Sequence, residues 1–523
     1  PGVKQFYTAV ALERAGLWLQ AAKAYYATLV HFPTAMGWTA FDPPTPWYVG
    51  KVARDKLEAI LRLHPELGMR LEGSRILVEH GFDSDVTNDR MLISPGTLLP
   101  ADAEAVNPPS SDVASLQKTR EIGTGRVRLV QYANRHWQLL VDGRPWIIRG
   151  LTYKPTAVGE TPDERSLRDW MTADRNRNQR LDVLETFVDA NRNDRQDPEE
   201  RVVGDFELMR AMGVNTLRLY HTDHPQTGKA KQLLRRLHQQ YGFMVIMGDF
   251  VGKYTIGSGA SWEQGTDYLN PAQRKRMLKS VKQMVRDFKD EPSLLLWVLG
   301  NENNYDGVPG IVGGAGNAGR YPQQYYAFIN ELATWIHAED PAHPVVLANG
   351  ETLFLDVLAK EATAVDVFGA NVYRGWQGVG RAFFEEVQRL TDKPVLITEF
   401  GCPAYQLGVS RDVAERDQAL YHLGTWVDLA DNVAGRGVGN AIGGVVFEWL
   451  DEWWKGGQPP RFSPRAHETQ PNWAGPFPGG WNFEEWYGVI SQGDGQLSPY
   501  VRQPRVSYQL YQQLWRGSQA VSE

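Results

Sequence analysis

The sequence is short of several things at once, and each shortage excludes a class of protein. Of 523 residues a single one, Cys402, is cysteine, so an internal disulfide framework and any multi-cysteine zinc site are excluded. No run of 18 or more apolar residues occurs, hence no membrane-spanning helix is expected, and no charged-then-apolar signal segment opens the chain. The formal charge of -7 is modest for this length and gives neither a nucleic-acid footprint nor a membrane-attracting basic surface. No Gly-rich phosphate turn follows any strand-like segment, which argues against a nucleotide-binding doubly wound sheet and any organic cofactor held that way.

What is present is the balance of a folded chain, with 42% apolar and 22% charged residues. Tryptophan is abundant at 18 residues, which suits stacking on sugar faces but also suits a large core. The sequence begins at Pro1 rather than methionine, an expectation of a lost upstream segment such as a signal peptide or anchor.

Residues 1–93 read as helical in FYTAVALERAG, LWLQAAKAYYATLVHF, KVARDKLEAILRLHP and GSRILVEHG, with no strand pattern between them. GLWLQAAKAYYATLVHFP resembles the second helix of a tetratricopeptide repeat, so this module is expected to be tetratricopeptide-like and to offer a surface to a protein partner. Residues 94–125 read as a linker rich in Pro, Ser, Ala and Asp. RVRLVQY and HWQLLVDG then form a predicted hairpin.

From Trp146 onward strand-like and helix-like segments alternate eight times. The strands are WIIRGL, NTLRLY, FMVIMGDF, SLLLWVLG, PVVLAN, VDVFGANVY, PVLITEF and AIGGVVFEW. Most are apolar throughout, as strands covered on both faces must be. The predicted fold is therefore α/β, a (β/α)8 barrel over residues 126–523.

Catalytic groups of such a barrel sit at the carboxyl ends of its strands. There the sequence places Arg218, His221, Asn301, Glu302, Asn371, Tyr373, Glu399 and Trp449. Glu302 and Glu399 each end a long apolar run, on strands four and seven. Two facing carboxylates are what glycosidic cleavage requires: one protonated to supply the departing oxygen, one ionised to attack. A gap of about 5 Å gives a covalent intermediate, and one of roughly 6.5–9.5 Å leaves room for water.

WVLGNEN and VLITEFG resemble the acid/base and nucleophile strands of the clan A glycoside hydrolases, retaining (β/α)8 enzymes, over about 370 residues. NTLRLYH and WYGVIS look like family 2 of that group, while RGLTYKP, DVFGANVY and ITEFGCP look like the fungal cell-wall β-1,3-glucanosyltransferases. Family 2 enzymes carry β-sandwich domains before the barrel where this sequence reads as helical. By that resemblance Glu302 is the general acid/base and Glu399 the nucleophile. Asn301 would hold the sugar 2-hydroxyl, Tyr373 would bond the nucleophile, Arg218 would keep it ionised, and Trp449 would floor the subsite of cleavage. His221 and the loop residue Trp376 join them as substrate-binding candidates. The implied activity is a retaining β-glycoside hydrolase on a β-linked glucan or related polysaccharide, or a transglycosylase using the same glutamates. A non-catalytic polysaccharide-binding scaffold is the weaker alternative.

An acidic insertion at 174–200 carries two twelve-residue windows, DRNRNQRLDVLE and DANRNDRQDPEE. In the first, Asp174, Asn176, Asn178, Arg180 (through its carbonyl), Asp182 and Glu185 occupy the ligand positions of an EF-hand loop. In the second these are Asp189, Asn191, Asn193, Arg195 (again the carbonyl), Asp197 and Glu200. Position six, usually glycine, is Gln179 or Asp194. Structural calcium is expected, and with it a periplasmic or extracellular setting where calcium is plentiful.

Overall fold

The structure, a computed structural model, describes residues 2–32, 34–38, 46–72, 75–78, 113–153, 186–200, 202–221, 227–308, 316–376, 378–458, 461–462, 466–470, 475–495 and 501–516. Its centre is a closed barrel of eight parallel strands. In chain order these are β1 (Ile148–Thr152), β2 (Thr216–Leu219), β3 (Met244–Asp249), β4 (Leu294–Leu299), β5 (Val345–Gly350), β6 (Val367–Asn371), β7 (Val395–Phe400) and β8 (Ala441–Val446). Every residue of β2 to β8 is buried, which is why these strands lack the polar alternation of a half-exposed sheet.

Alternation persists in a subtler form. Met244, Ile246, Leu296, Val298, Val346 and Leu396 fill the barrel interior, while Val245, Met247, Trp297, Leu299, Leu347 and Ile397 face the helices. Arg218 follows the parity opposite to the outward Leu217 and Leu219, so the two-residue strand period sends its guanidinium into the lumen. The helices after each strand are α4 (Asp205–Met212), α5 (Thr227–Tyr241), α6 (Pro271–Phe288), α7 (Pro322–Glu339), α8 (Leu355–Glu361), α9 (Arg381–Thr391), α10 (Arg411–Ala430) and α11 (Val506–Arg516). None of the described helices is long and apolar enough to cross a membrane.

The amino end of the barrel is plugged by a four-stranded antiparallel sheet, Lys118–Ile122, Val127–Tyr132, Trp137–Val141 and Arg144–Pro145. Val127, Leu129 and Trp137 pack into the interior cluster, and Trp137 N donates to Gly439 O at 2.7 Å just before β8. The predicted linker therefore ends earlier than residue 125. Lys118–Ile122 is an exposed edge strand, and its polar residues read as linker because they cover no core.

The N-terminal module begins with α1 (Gly2–Arg14), α2 (Trp18–His31) and α3 (Val49–Leu63) around Phe6, Tyr25, Trp47, Val52 and Leu57. The helical reading of GSRILVEHG is corrected here. Arg75–Val78 is a strand, paired antiparallel with Met69–Glu72 so that Glu72 faces Arg75. A second short pair joins Met36–Trp38 to Pro46–Tyr48.

The second acidic window lies in a β-hairpin connection. Thr186–Val188 pairs antiparallel with Val202–Val203 and parallel with Val501–Pro504, so 189–200 bridges two strands rather than two helices. The first window, Asp174 to Glu185, lies outside the described residues.

Candidate active site

Glu399, next to last in β7, has its side chain 7% exposed and accepts three hydrogen bonds. Oε1 accepts from Arg218 Nη1 at 3.0 Å and from Tyr220 Oη at 2.6 Å, and Oε2 accepts from Tyr373 Oη at 2.9 Å. One guanidinium and two phenols thus hold both oxygens of this carboxylate in place. The arginine is itself fixed: Nη1 also donates to Thr398 O at 2.7 Å, and Nη2 donates to Asn301 Oδ1 at 2.9 Å. Its guanidinium lies 4.3 Å from the centre of the Tyr220 ring.

Asn301 is the hinge between the two glutamates. Its Oδ1 receives Arg218 and also Asn371 Nδ2 at 3.0 Å, while its backbone N–H donates to Asn303 Oδ1 at 2.7 Å. Asn303 ties this turn to β3, donating through Nδ2 to Phe250 O at 3.0 Å and to Tyr268 Oη at 2.7 Å. Asn304 copies a backbone partner for β5, donating to Gly350 O at 2.8 Å and accepting from Gly350 N at 2.7 Å.

Glu302, between those amides, adopts a left-handed backbone with φ +59°. That conformation costs a non-glycine residue of order 1 kcal/mol or more and is held here by the asparagines on either side. Burial, and then the charge of Glu399, push the Glu302 pKa up to about 7, against a smaller opposing effect of Lys253. Lys253 Nζ reaches the Glu302 carbonyl at 3.3 Å and Asp306 Oδ1 at 3.1 Å. Two carboxyl groups thus share one recess, Glu399 gripped by three donors and Glu302 buried with a raised pKa.

The aromatic wall comes from Tyr220, Phe250, Phe447, Phe477 and Tyr487, with Tyr254, Tyr373 and Trp376 at its edge. Tyr254, with φ +56°, lies in a β3 loop that also holds Val251 and Thr255 left-handed. Burial and then Glu302 raise its pKa well above the ordinary value. Trp262, 56% exposed, lies parallel to the Tyr254 ring at 6.1 Å. On the β8 side Lys455 bonds Glu484 at 3.1 Å and pairs with Glu452 at 2.5 Å. Burial opposes the lysine's charge, but Glu452, Glu484 and Glu448 outweigh it and push its pKa up.

The structure thus brings together Arg218, Asn301, Glu302, Tyr373 and Glu399, with Trp376 further along the loop of Tyr373. His221 stands beside them in a supporting position, its Nδ1 accepting from Phe250 N at 3.3 Å and its ring stacked on Phe250 at 5.6 Å. Trp449 is a correction. It is 0% exposed and packs on Tyr508 at 6.2 Å in the outer core, so no sugar can reach it; Phe447 is the β8-end aromatic that joins the wall. Sequence reasoning passed over Tyr220, Lys253, Tyr254 and Lys455. Tyr220 carried a usable signal, since it lies two residues beyond Arg218, just past the end of β2.

Among the described residues no group of three or more His, Cys, Asp or Glu side chains is arranged to hold a metal ion. In the second acidic window Asp189 Oδ1 accepts from Asn193 N at 3.1 Å and its Oδ2 from Asp194 N at 2.8 Å, with Asp194 left-handed at φ +58°. Asn191 and Asn193 both donate to Asp197 Oδ2, at 2.6 and 2.9 Å, and Glu200 Oε1 accepts from Ala190 N at 2.7 Å.

An eight-stranded parallel barrel with glutamates ending strands four and seven is the arrangement of the clan A glycoside hydrolases. Residues 187–433 match the domain described as "Glycosyl hydrolases family 2, TIM barrel domain". A curated relative, described as "Probable mannan endo-1,4-beta-mannosidase C" of Aspergillus terreus, is 35% identical over 94 residues, 18% of this chain and 22% of the relative. Similar solved structures include the β-D-glucuronidase of Dictyoglomus thermophilum, with TM-score 0.44, 16% identity, and coverage of 76% of this chain and 54% of that one. Another is the Bacteroides uniformis β-glucuronidase, with TM-score 0.43, 17% identity, and coverage of 75% and 40%. The chain thus spans about half the length of the first of these structures and 22% of the mannosidase.

Proposed function

We propose that the protein is a retaining β-glycoside hydrolase that acts on a β-linked glucan or related polysaccharide. The observation that carries the reading is the pair of strand-end carboxyls in one recess, Glu399 held by three donors and Glu302 buried with a raised pKa. Glu399, held by Arg218, Tyr220 and Tyr373, attacks the anomeric carbon as the bond to the leaving oxygen breaks. Glu302, with its pKa raised to about 7, gives its proton to that oxygen. The covalent glycosyl-enzyme then opens when Glu302, now ionised, takes a proton from water as that water attacks the same carbon. Glu399 leaves with its electron pair. Asn301 and Asn371, bound to one another, are placed to receive sugar hydroxyls near the reacting carbon. The family match, and the mannan named in the description of the relative, put β-glucans and β-mannans together in the test. A panel of β-1,3-glucan, β-1,4-glucan, β-1,4-mannan and β-galactan is incubated with the enzyme. New reducing ends from at least one support the reading, and none from any overturns it.

Transfer to a sugar hydroxyl is a second reading, favoured by one feature. Trp262 and Tyr254 offer an aromatic surface on the Glu302 side, where leaving group and acceptor both sit. Products longer than the starting oligosaccharide identify transfer.

Calcium is a further part of the proposal. Asp189, Asn191, Asn193, Asp197 and Glu200, with the Arg195 carbonyl, are a hard-oxygen donor set of the kind calcium takes. When bound, the ion would supply charge that orders the hairpin connection. An extracellular or periplasmic setting, where calcium is plentiful, accords with such a site.

A further inference from the structure

Helix α3 of the N-terminal module is seated on the carboxyl-end face of the barrel, where the sugar site lies. Its Arg54, 0% exposed, places its guanidinium 4.7 Å from the centre of the Trp376 ring. The same arginine is held by Glu58 Oε1 at 2.9 Å, one turn along the helix. Lys51 runs past the neighbouring Gly375, where an added Cβ would lie 3.4 Å from Lys51 Cδ. Tyr48, at the start of α3, lies under the Arg374 guanidinium at 4.8 Å, and Arg374 grips Glu351 at 2.7 and 2.6 Å. Val52 faces the loop of Gly480, 3.9 Å from an added Cβ there.

The barrel fixes the main chain of the Trp376 loop. Gly375 N donates to Tyr421 Oη at 3.1 Å, and α10 approaches so closely that a Cβ on Gly424 would fall 1.8 Å from Trp376 O. The contact on the indole face itself comes from Arg54. Trp376 is half-buried, borders the aromatic wall that includes Tyr220 and Tyr373, and its indole N–H makes no hydrogen bond among the described residues. A tryptophan with a cation behind one face and its N–H unspent suits a pyranose, which offers C–H groups to the ring and hydroxyls to the N–H.

We propose that the N-terminal module is a built-in wall of the sugar-binding cleft, with Arg54 as the positioning residue that orients Trp376 as a stacking platform for a pyranose beyond the one whose bond is cleaved. The inference rests on the glycosidase reading given above. It makes α3 a determinant of substrate length, and it gives the module a role within the enzyme rather than on a separate partner.

The test uses the full-length Glu399→Gln protein and calorimetric titration with di- and pentasaccharides of the β-glycan that the parent cleaves. Arg54→Ala should weaken the pentasaccharide about tenfold more than the disaccharide. Arg54→Lys, which keeps a cation over the ring, should recover most of that loss. Trp376→Ala should match Arg54→Ala, and the double variant should lose no more than Trp376→Ala alone, because the arginine acts through the indole. An unchanged penta-to-disaccharide ratio in a folded Arg54→Ala protein, or fully additive losses in the double variant, overturns the proposal. Should Arg54→Ala not fold, an unchanged ratio in Trp376→Ala overturns it equally. A parent that cleaves nothing in the β-glycan panel overturns the glycosidase reading itself, a result distinct from cleavage without length dependence.

Discussion

Glu302 and Glu399 differ in their surroundings more than in their chemistry, and the difference makes the pH behaviour predictable. Because the Glu302 pKa is raised to about 7, the proton that its proposed acid role requires is present below that pH and lost above it. The rate limb on the alkaline side should therefore bend near pH 7, checked by kcat/KM across pH 5–9 on the best substrate of the panel. The same shift has a stability sign. A carboxyl bound more tightly by protons when folded contributes stability below the unfolded value of 4.5 and loses it as pH rises toward about 7. Glu302→Gln should accordingly melt above the parent at pH 8, by roughly 1–3 kcal/mol, with the gap closing toward pH 4.5. Tyr220→Phe removes one of three donors from Glu399 and should lower kcat by about 10-fold or more, with KM changed less.

Glutamates ending apolar strands are legible in one dimension because the strand itself announces its end. Tyr220 was legible only once the two-residue period was followed past Arg218. Trp449 misled for the opposite reason: an aromatic after β8 can face the cleft or the helix layer, and only packing, here on Tyr508, decides which.

At the scale of elements, the eight strands emerge from sequence because burial on both faces removes polar residues from them, and the structure moves their ends by no more than three residues. The hairpin of RVRLVQY and HWQLLVDG emerged too, whereas the short strand pairs of the N-terminal module did not. Arg75–Val78 has only four residues, too few for a period to show, although the Gly-Ser pair before it is turn chemistry in sequence. Helix α6 offers a clean test of local reading. Asn270 caps it by accepting from Ala272 and Gln273 N–H at 2.9 and 3.3 Å, so Asn270→Ala should cost about 1 kcal/mol in chemical denaturation. The hairpin connection at 189–200 carries the calcium proposal, and millimolar calcium should raise the melting temperature of the parent while leaving an Asp189→Ala, Glu200→Ala double variant unmoved. A melting temperature indifferent to calcium and chelator would contradict that part of the account.

At the scale of the molecule, the barrel is closed at its amino end by the antiparallel sheet and approached at its carboxyl end by α3. That arrangement lay beyond sequence reasoning, because Arg54 and Trp376 are far apart in the chain and neither stands in a motif that names the other. The central claim nonetheless concerns one carboxylate. Parent and Glu399→Gln proteins are incubated with the β-glycan panel, and released reducing ends are measured alongside binding of the same glycans. The account predicts that Glu399→Gln releases less than about 1% of the parent's product from the cleaved glycan while still binding it; turnover equal to the parent's would contradict it.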